Sequence, residues 1–131
     1  MVDRQGIPLA VTQSPANAHA STMLEATVDA IRPTKRPSGQ RRKRPAKLHA
    51  DKGYDYKRCR DALRRRHIVP RIARRGIERS DRLGRHRWVV ERTLAWLNRF
   101  RRLTIRDERR ADIHQAFLSL GCALICWNHL S

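Results

Sequence analysis

An α/β domain with at least one parallel pair of strands is the fold class this sequence predicts. Three observations carry that reading. A short apolar segment at Leu48–Ala50, a helical segment at Asp55–His67 and a second strand-like segment at Ile68–Ala73 follow one another in strand–helix–strand order. A long helix is expected over Arg85–Leu103, with Val89, Thr93, Trp96, Leu97, Phe100 and Leu103 at core-facing spacing. A last helix, from Ala111 to about Leu130, places Ile113, Ala116, Phe117, Leu120, Leu124 and Trp127 on one apolar face. At 131 residues the chain is read as one domain with a modest core.

In chain order, Val2-Asp3 reads as the end of a strand whose beginning is missing. Arg4-Gln5-Gly6 then turns the chain into a second strand, Ile7–Thr12, with Pro8 near its start, where a missing N–H is tolerated. Ser14–Asn17 is a turn, and an amphipathic helix follows over Ser21–Ile31 until Pro33 closes it. Residues 32–47 hold eight basic side chains, three prolines, one glycine and no acid, so a solvated loop or DNA-facing tether is expected there. Lys52-Gly53-Tyr54 supplies a turn after the Leu48–Ala50 strand. The Asp55–His67 helix carries Tyr56, Cys59, Ala62 and Leu63 on one side, and Pro70 puts the next strand near a sheet edge. Arg74–Gly84 reads as a basic loop before the central helix.

Trp88, Val90, Leu94 and Ala95 widen the apolar stripe of that central helix, so it is expected to be sandwiched inside the domain. Glu91 interrupts the stripe. A carboxylate in such surroundings loses hydration and needs a partner. Two readings stay open: an ion pair with Arg87, four residues back, or a metal-binding acid on a rigid helix.

Lys and Arg total 30 against 12 Asp and Glu, giving a formal charge of +18 and a pI near 11.6. With 40% apolar residues the chain is not a disordered basic tail. That much positive charge repels itself unless a polyanion is near, and nucleic acid is the usual one, with structural RNA among the possibilities. The cations are not confined to one amphipathic helix, which argues against a membrane surface. Three cysteines (Cys59, Cys122 and Cys126) do not make a disulfide framework and suit a reducing compartment. No signal-peptide order opens the sequence, and the 12-residue apolar run at 116–127 is too short to span a bilayer. A cytoplasmic, nucleoid-associated protein is expected.

Asp51 stands at the carboxyl end of a strand before a glycine turn, where α/β proteins build sites and where ordinary turns also place Asp. Asp3 occupies a comparable strand end. Two strand-end aspartates and a core-helix glutamate in a strongly basic chain suggest a two-metal phosphodiester site built on Mg²⁺. Lys52 beside Asp51 and Arg92 beside Glu91 either reach a phosphate or are solvated. Arg99, Arg101, Arg102, Arg106, Arg109 and Arg110 read preferentially as phosphate contacts. Cys122, Cys126 and His129 form an incomplete metal set whose apolar surroundings favour core packing.

Val2–Leu9, Ala50-Asp51-Lys52-Gly53-Tyr54 and Arg87-Trp88-Val89-Val90-Glu91-Arg92 resemble the three acidic blocks of DDE transposases of bacterial insertion sequences. The resemblance points in particular to the branch named after insertion sequence five, and it runs over nearly the whole chain. It implies a ribonuclease H-like catalytic domain with Asp3, Asp51 and Glu91 as catalytic and metal-binding acids. The implied cofactor is Mg²⁺ or Mn²⁺, and the implied reaction is cleavage and joining of DNA strands at transposon ends and target. Arg87 matches the arginine of the tyrosine–arginine–glutamate–lysine signature, whose tyrosine and lysine positions hold Gly84 and Asn98 here. Lys52, Arg87, Arg92, Arg99, Arg101 and Arg102 are the expected DNA contacts.

Only Met1 and Val2 precede Asp3, so the chain resembles the downstream part of a split, frameshifted or decayed transposase, truncated at the first strand. An upstream-frame polypeptide and a homo-oligomer are the further partners this implies. A non-catalytic nucleic-acid-binding remnant is the competing reading.

Overall fold

The computed structural model describes residues 1–35, 37–76 and 84–130, with side chains in the long central helix described from Arg87 onward. Most of the loop expected over Arg74–Gly84 lies outside the described residues. The chain divides into two compact units, Ser14–His86 and a second one made of Met1–Gln13 with Arg87–Ser131.

In the Ser14–His86 unit, His19 caps a 3₁₀ turn, Ala20–Met23, by accepting from the Ser21 amide at 3.2 Å. The turn runs into helix α1, Leu24–Asp29. The single helix expected over Ser21–Ile31 is therefore split between two geometries, although Leu24, Val28 and Ile31 are all buried as its periodicity required. The basic segment 32–47 is not a plain loop. It holds two-residue strands β1, Thr34–Lys35, and β2, Arg41–Arg42, paired antiparallel.

Strand β3, Lys47–Ala50, helix α2, Lys57–Arg65, and strand β4, Val69–Ile72, form the centre of this unit. The two strands pair in parallel, with Lys47 opposite Val69 and Ala50 opposite Ile72, as the strand–helix–strand order predicted. Leu48 and Ile72 from the strands and Cys59, Ala62 and Leu63 from α2 are buried together with Ile68 and Ala73. Leu63 and Ile68 are each 1% exposed, and full burial of such a side chain contributes about 1.5–3 kcal/mol.

Helix α2 ends where His67 adopts a left-handed φ of 55°. The His67 amide then reaches Arg64 O at 2.8 Å and the Ile68 amide reaches Leu63 O at 2.9 Å, a Schellman stop made with a histidine in the glycine position. Beside it, Arg66 ties α2 to α1 through Asp29 at 2.8 Å and Glu25 at 2.9 Å.

The other unit is helical. Helix α3, Gly84–Leu97, is followed by the short α4, Arg101–Thr104, and by α5, Ala111–Asn128. The expected helix over Arg85–Leu103 is interrupted because Phe100 is extended (φ −83°, ψ 112°) between α3 and α4. The strand expected over Ile7–Thr12 is also absent as an element. Val2 and Pro8 make one antiparallel bridge, and Pro8 has no N–H with which to continue a ladder.

Two packing expectations are corrected. Among its described side chains, helix α3 buries only the stripe Val89, Thr93 and Leu97, while Trp88, Val90 and Leu94 are 50%, 47% and 53% exposed. On α5, the face holding Ile113, Leu120, Leu124 and Trp127 is turned outward, and Gly121 and Ile125 are buried instead. Gly121 decides this orientation. A Cβ there would lie 2.9 Å from Leu103 Cδ1 and 3.3 Å from Leu97 Cδ2 and Phe100 Cδ2, so the missing side chain is what lets those groups close onto α5. Among the described residues, no helix is long and apolar enough to cross a membrane.

Candidate active site

Asp3 opens a tight turn. Its Oδ1 accepts from the Gln5 and Ile7 amides, both at 2.8 Å, and the Asp3 amide donates to Ile7 O at 2.9 Å. An Asp is suited to this turn because a short side-chain acceptor can satisfy amides the reversal would otherwise orphan. Gly6 has φ +85°, and a Cβ built on it would meet Thr93 Oγ1 at 3.0 Å and Arg92 Nη2 at 3.1 Å. Both the backbone angle and the space therefore call for glycine.

The contacts that hold this turn come from α3. Thr93 Oγ1 donates to Gly6 O at 2.6 Å, with Val89 O at 3.1 Å as its alternative acceptor. Arg92 Nη2 donates to Gln5 O. The Arg92 guanidinium lies 4.5 Å from the Trp88 ring centroid and 4.9 Å from that of Trp96, two cation–π contacts one turn to either side. The first acid's turn is thus fastened to the helix that carries the third acid.

Glu91 precedes Arg92 on α3 but is not dehydrated as expected. Its side chain is 59% exposed, and Oε1 accepts from Arg87 Nε at 2.7 Å, the i,i+4 pair open to it from the start. The reason is the orientation of α3, which leaves the neighbours of Glu91, Trp88 and Leu94, half in solvent.

Asp51 belongs to the other unit. It stands directly after β3, as expected, where its Oδ1 accepts from the Gly53 amide at 3.0 Å and caps the 3₁₀ turn Lys52–Tyr54. Burial, with the Asp51 charge adding to it, pushes the Tyr54 phenol above its ordinary value. Nearby, the guanidinium of Arg60 at 2.6 Å and the Arg75 amide at 2.9 Å hold the Asp55 carboxyl below the usual carboxylate range.

Asp3, Asp51 and Glu91 offer only hard carboxylate oxygens, a donor set whose chemistry fits Mg²⁺ or Mn²⁺. At Asp3 both amides are received by Oδ1, which leaves Oδ2 outside that pair of bonds. Among the described residues, no three His, Cys, Asp or Glu side chains are gathered as a metal cluster.

The expected DNA-contacting cations divide by environment. Arg87, Arg99 and Arg101 are exposed. Arg102 is 59% exposed, yet it pairs with Glu108 at 3.1 Å and lies 5.6 Å from the Phe117 ring. Arg92 is committed to the Asp3 turn. Lys52 is half-buried, and its carbonyl accepts from Arg75 Nε at 3.1 Å.

One buried group, Glu108, and the partner of another, Thr93, were not legible in the sequence. The Glu108 side chain is 7% exposed, with Oε2 3.6 Å from His114 Nδ1, although nothing in the spacing of a basic connector marks that acid as interior. Thr93 was visible as a polar residue in an apolar stripe, but its acceptor is 87 residues away. Cys126 Sγ lies 3.8 Å from Pro8 O, the His129 ring lies 5.1 Å from that of Trp96, and burial pushes the Cys122 thiol up.

The family model for the transposase DDE domain matches residues 1–127. The chain is 54% identical over 130 residues to a candidate transposase for insertion sequence element IS402 of Burkholderia cepacia. That match covers 99% of this chain and 62% of the relative, so the chain spans under two thirds of the length of the protein it resembles. No solved structure matches it.

Proposed function

This chain belongs to the DDE transposase family, and from that premise we propose that it supplies Asp3, Asp51 and Glu91 to the metal-dependent cleavage and transfer of DNA strands. The observation that carries this reading is the fastening of the Asp3 turn to α3 immediately beyond Glu91. Two acids far apart in the sequence, one in the turn and one on α3, are thereby tied to the same helix, and sites on rigid elements keep their geometry.

Asp3, Asp51 and Glu91 would hold Mg²⁺ or Mn²⁺ in a ribonuclease H-like arrangement of the insertion-sequence-five branch. Such ions supply Lewis-acid stabilisation of the phosphoryl oxygens during in-line attack by water or a DNA 3′-hydroxyl. Within that site, Asp3 keeps its turn closed through Oδ1, Asp51 keeps the β3 turn closed through Oδ1, and Glu91 exchanges its contact with Arg87 for the site. Lys52, Arg87, Arg99, Arg101 and Arg102, with the exposed cations of residues 32–47, hold the phosphate backbone with little sequence readout. The protein acts in the cytoplasm on nucleoid DNA, at transposon ends and target, together with a second copy.

Incubation with plasmid DNA carrying the element's ends tests this. The chain, alone or complemented by the upstream polypeptide, is expected to cleave in Mg²⁺ or Mn²⁺ and to lose cleavage in Asp51→Ala and Glu91→Ala variants. A formal charge of +18 favours a second reading, a basic nucleic-acid-binding remnant. That reading predicts salt-sensitive DNA retention with no cleavage under any of these conditions. Preference for RNA, indifferent to both substitutions, would favour a structural RNA-binding role.

A further inference from the structure

We infer that Arg92 and Thr93 are positioning residues that set the place of the Asp3 carboxylate, acting through the backbone carbonyls of Gln5 and Gly6. The inference rests on the reading of Asp3 and Glu91 as metal-binding acids.

Three independent features converge on the turn. Thr93 is 3% exposed, and its hydroxyl has a single proton, which it directs to Gly6 O at 2.6 Å. Arg92 reaches Gln5 O while its guanidinium is stacked between Trp88 and Trp96, so the fork has little freedom to point elsewhere. Gly6, at φ +85°, gives these donors their close approach, and any larger residue would meet them at about 3 Å. The same turn closes on Asp3 Oδ1 through the Gln5 and Ile7 amides. Gln5 is therefore held at its carbonyl by α3 and at its amide by Asp3. Shifting the carbonyl end moves the carboxylate.

The spacing on α3 gives this a further consequence. Arg92 and Thr93 directly follow Glu91, so the clamp fixes Asp3 relative to the helix that bears its partner acid. Arg92 thereby leaves the group of cations expected to contact DNA and joins the support of the acids.

The test follows amide exchange and Mn²⁺-induced broadening by NMR on the full chain. Thr93→Val removes the donor while keeping the shape, and Arg92→Met keeps an apolar stem between the two indoles without a donor. Each is expected to speed exchange of the Gln5 and Ile7 amides about fivefold or more, the loss of one hydrogen bond, while the α3 amides from Leu94 onward stay protected. Thr93→Ser is expected to restore wild-type exchange. In the same variants, broadening at Asp3 and at Glu91 is expected to require more Mn²⁺ than in the wild-type chain.

Unchanged exchange at Gln5 and Ile7 in both variants would overturn the inference, whatever the metal does. Uniform loss of protection through α3 would also overturn it, since the residues would then be merely structural. If the wild-type chain shows no Mn²⁺ broadening at Asp3 or Glu91, the metal-site reading fails, and the exchange data still decide whether the clamp holds the turn.

Discussion

Arg87 Nε lies 2.7 Å from Glu91 Oε1, and both side chains are largely in solvent, 75% and 59% exposed. An exposed i,i+4 pair of this kind contributes less than about 1 kcal/mol. Its interest lies in what it occupies, because the guanidinium sits on the carboxylate proposed to bind metal.

Arg87→Ala is accordingly expected to leave thermal stability nearly unchanged. Its DNA affinity should fall across all sequences, with the salt dependence of binding reduced by about one phosphate contact. Salt-titrated binding and a melting curve on the same variant check this. A large loss of stability with unaltered binding would assign Arg87 to the fold.

The buried centre of the Ser14–His86 unit makes a sharper stability prediction. Leu63 on α2 is 1% exposed, and Leu48 and Ile72 of the strand pair are buried in the same unit. Leu63→Ala is expected to destabilise this unit by about 2–5 kcal/mol, measured by urea unfolding.

His67 offers the opposite change. It carries a left-handed φ of 55° at the end of α2, where glycine has no Cβ penalty. His67→Gly is expected to stabilise the chain by about 0.5–1 kcal/mol after allowance for glycine's greater freedom when unfolded. Urea unfolding measures it, and a loss of stability would show that the histidine ring makes a contact worth more than the strain.

Acid acts through Asp55. Arg60 first, then the Arg75 amide, hold its carboxyl below the usual range when folded. The contribution to stability is therefore complete above the unfolded carboxylate value near pH 4 and is lost as pH falls through the lower folded value. The stability gap between wild type and Asp55→Asn should be constant from pH 7 to about 5 and close on further acidification. A gap that widens in acid would contradict the assignment. Arg66 holds Asp29 down in the same sense, so Asp29→Asn should behave alike.

Local signals in the sequence were enough for the parallel strand pair, the α2 face and the turn at Asp51. The α2 face and the Asp51 turn depend on neighbours within a few residues, and the strand pair follows from the order of three adjoining segments. The i,i+4 spacing of Arg87 and Glu91 likewise contained their pairing. Periodicity could mark an apolar stripe on α5 but not which side of the helix would be covered. That choice was made by Gly121, whose missing Cβ admits Leu97, Phe100 and Leu103. The same ambiguity misjudged α3, where a run of apolar residues suggested burial all round and a single stripe sufficed. The clamp on Asp3 was illegible for a different reason: its donors and acceptors are 87 residues apart, and backbone carbonyls carry no sequence signature.

The central claim is that Asp3, Asp51 and Glu91 serve one divalent cation site. Titrating Mn²⁺ into the isotopically labelled chain and following paramagnetic broadening tests it most directly. The account predicts that resonances of all three acids broaden together at one saturating concentration, and that Asp3→Asn, Asp51→Asn or Glu91→Gln each abolishes the broadening at the other two. Broadening confined to separate sites, with Asp51 indifferent to the loss of Glu91, would contradict it.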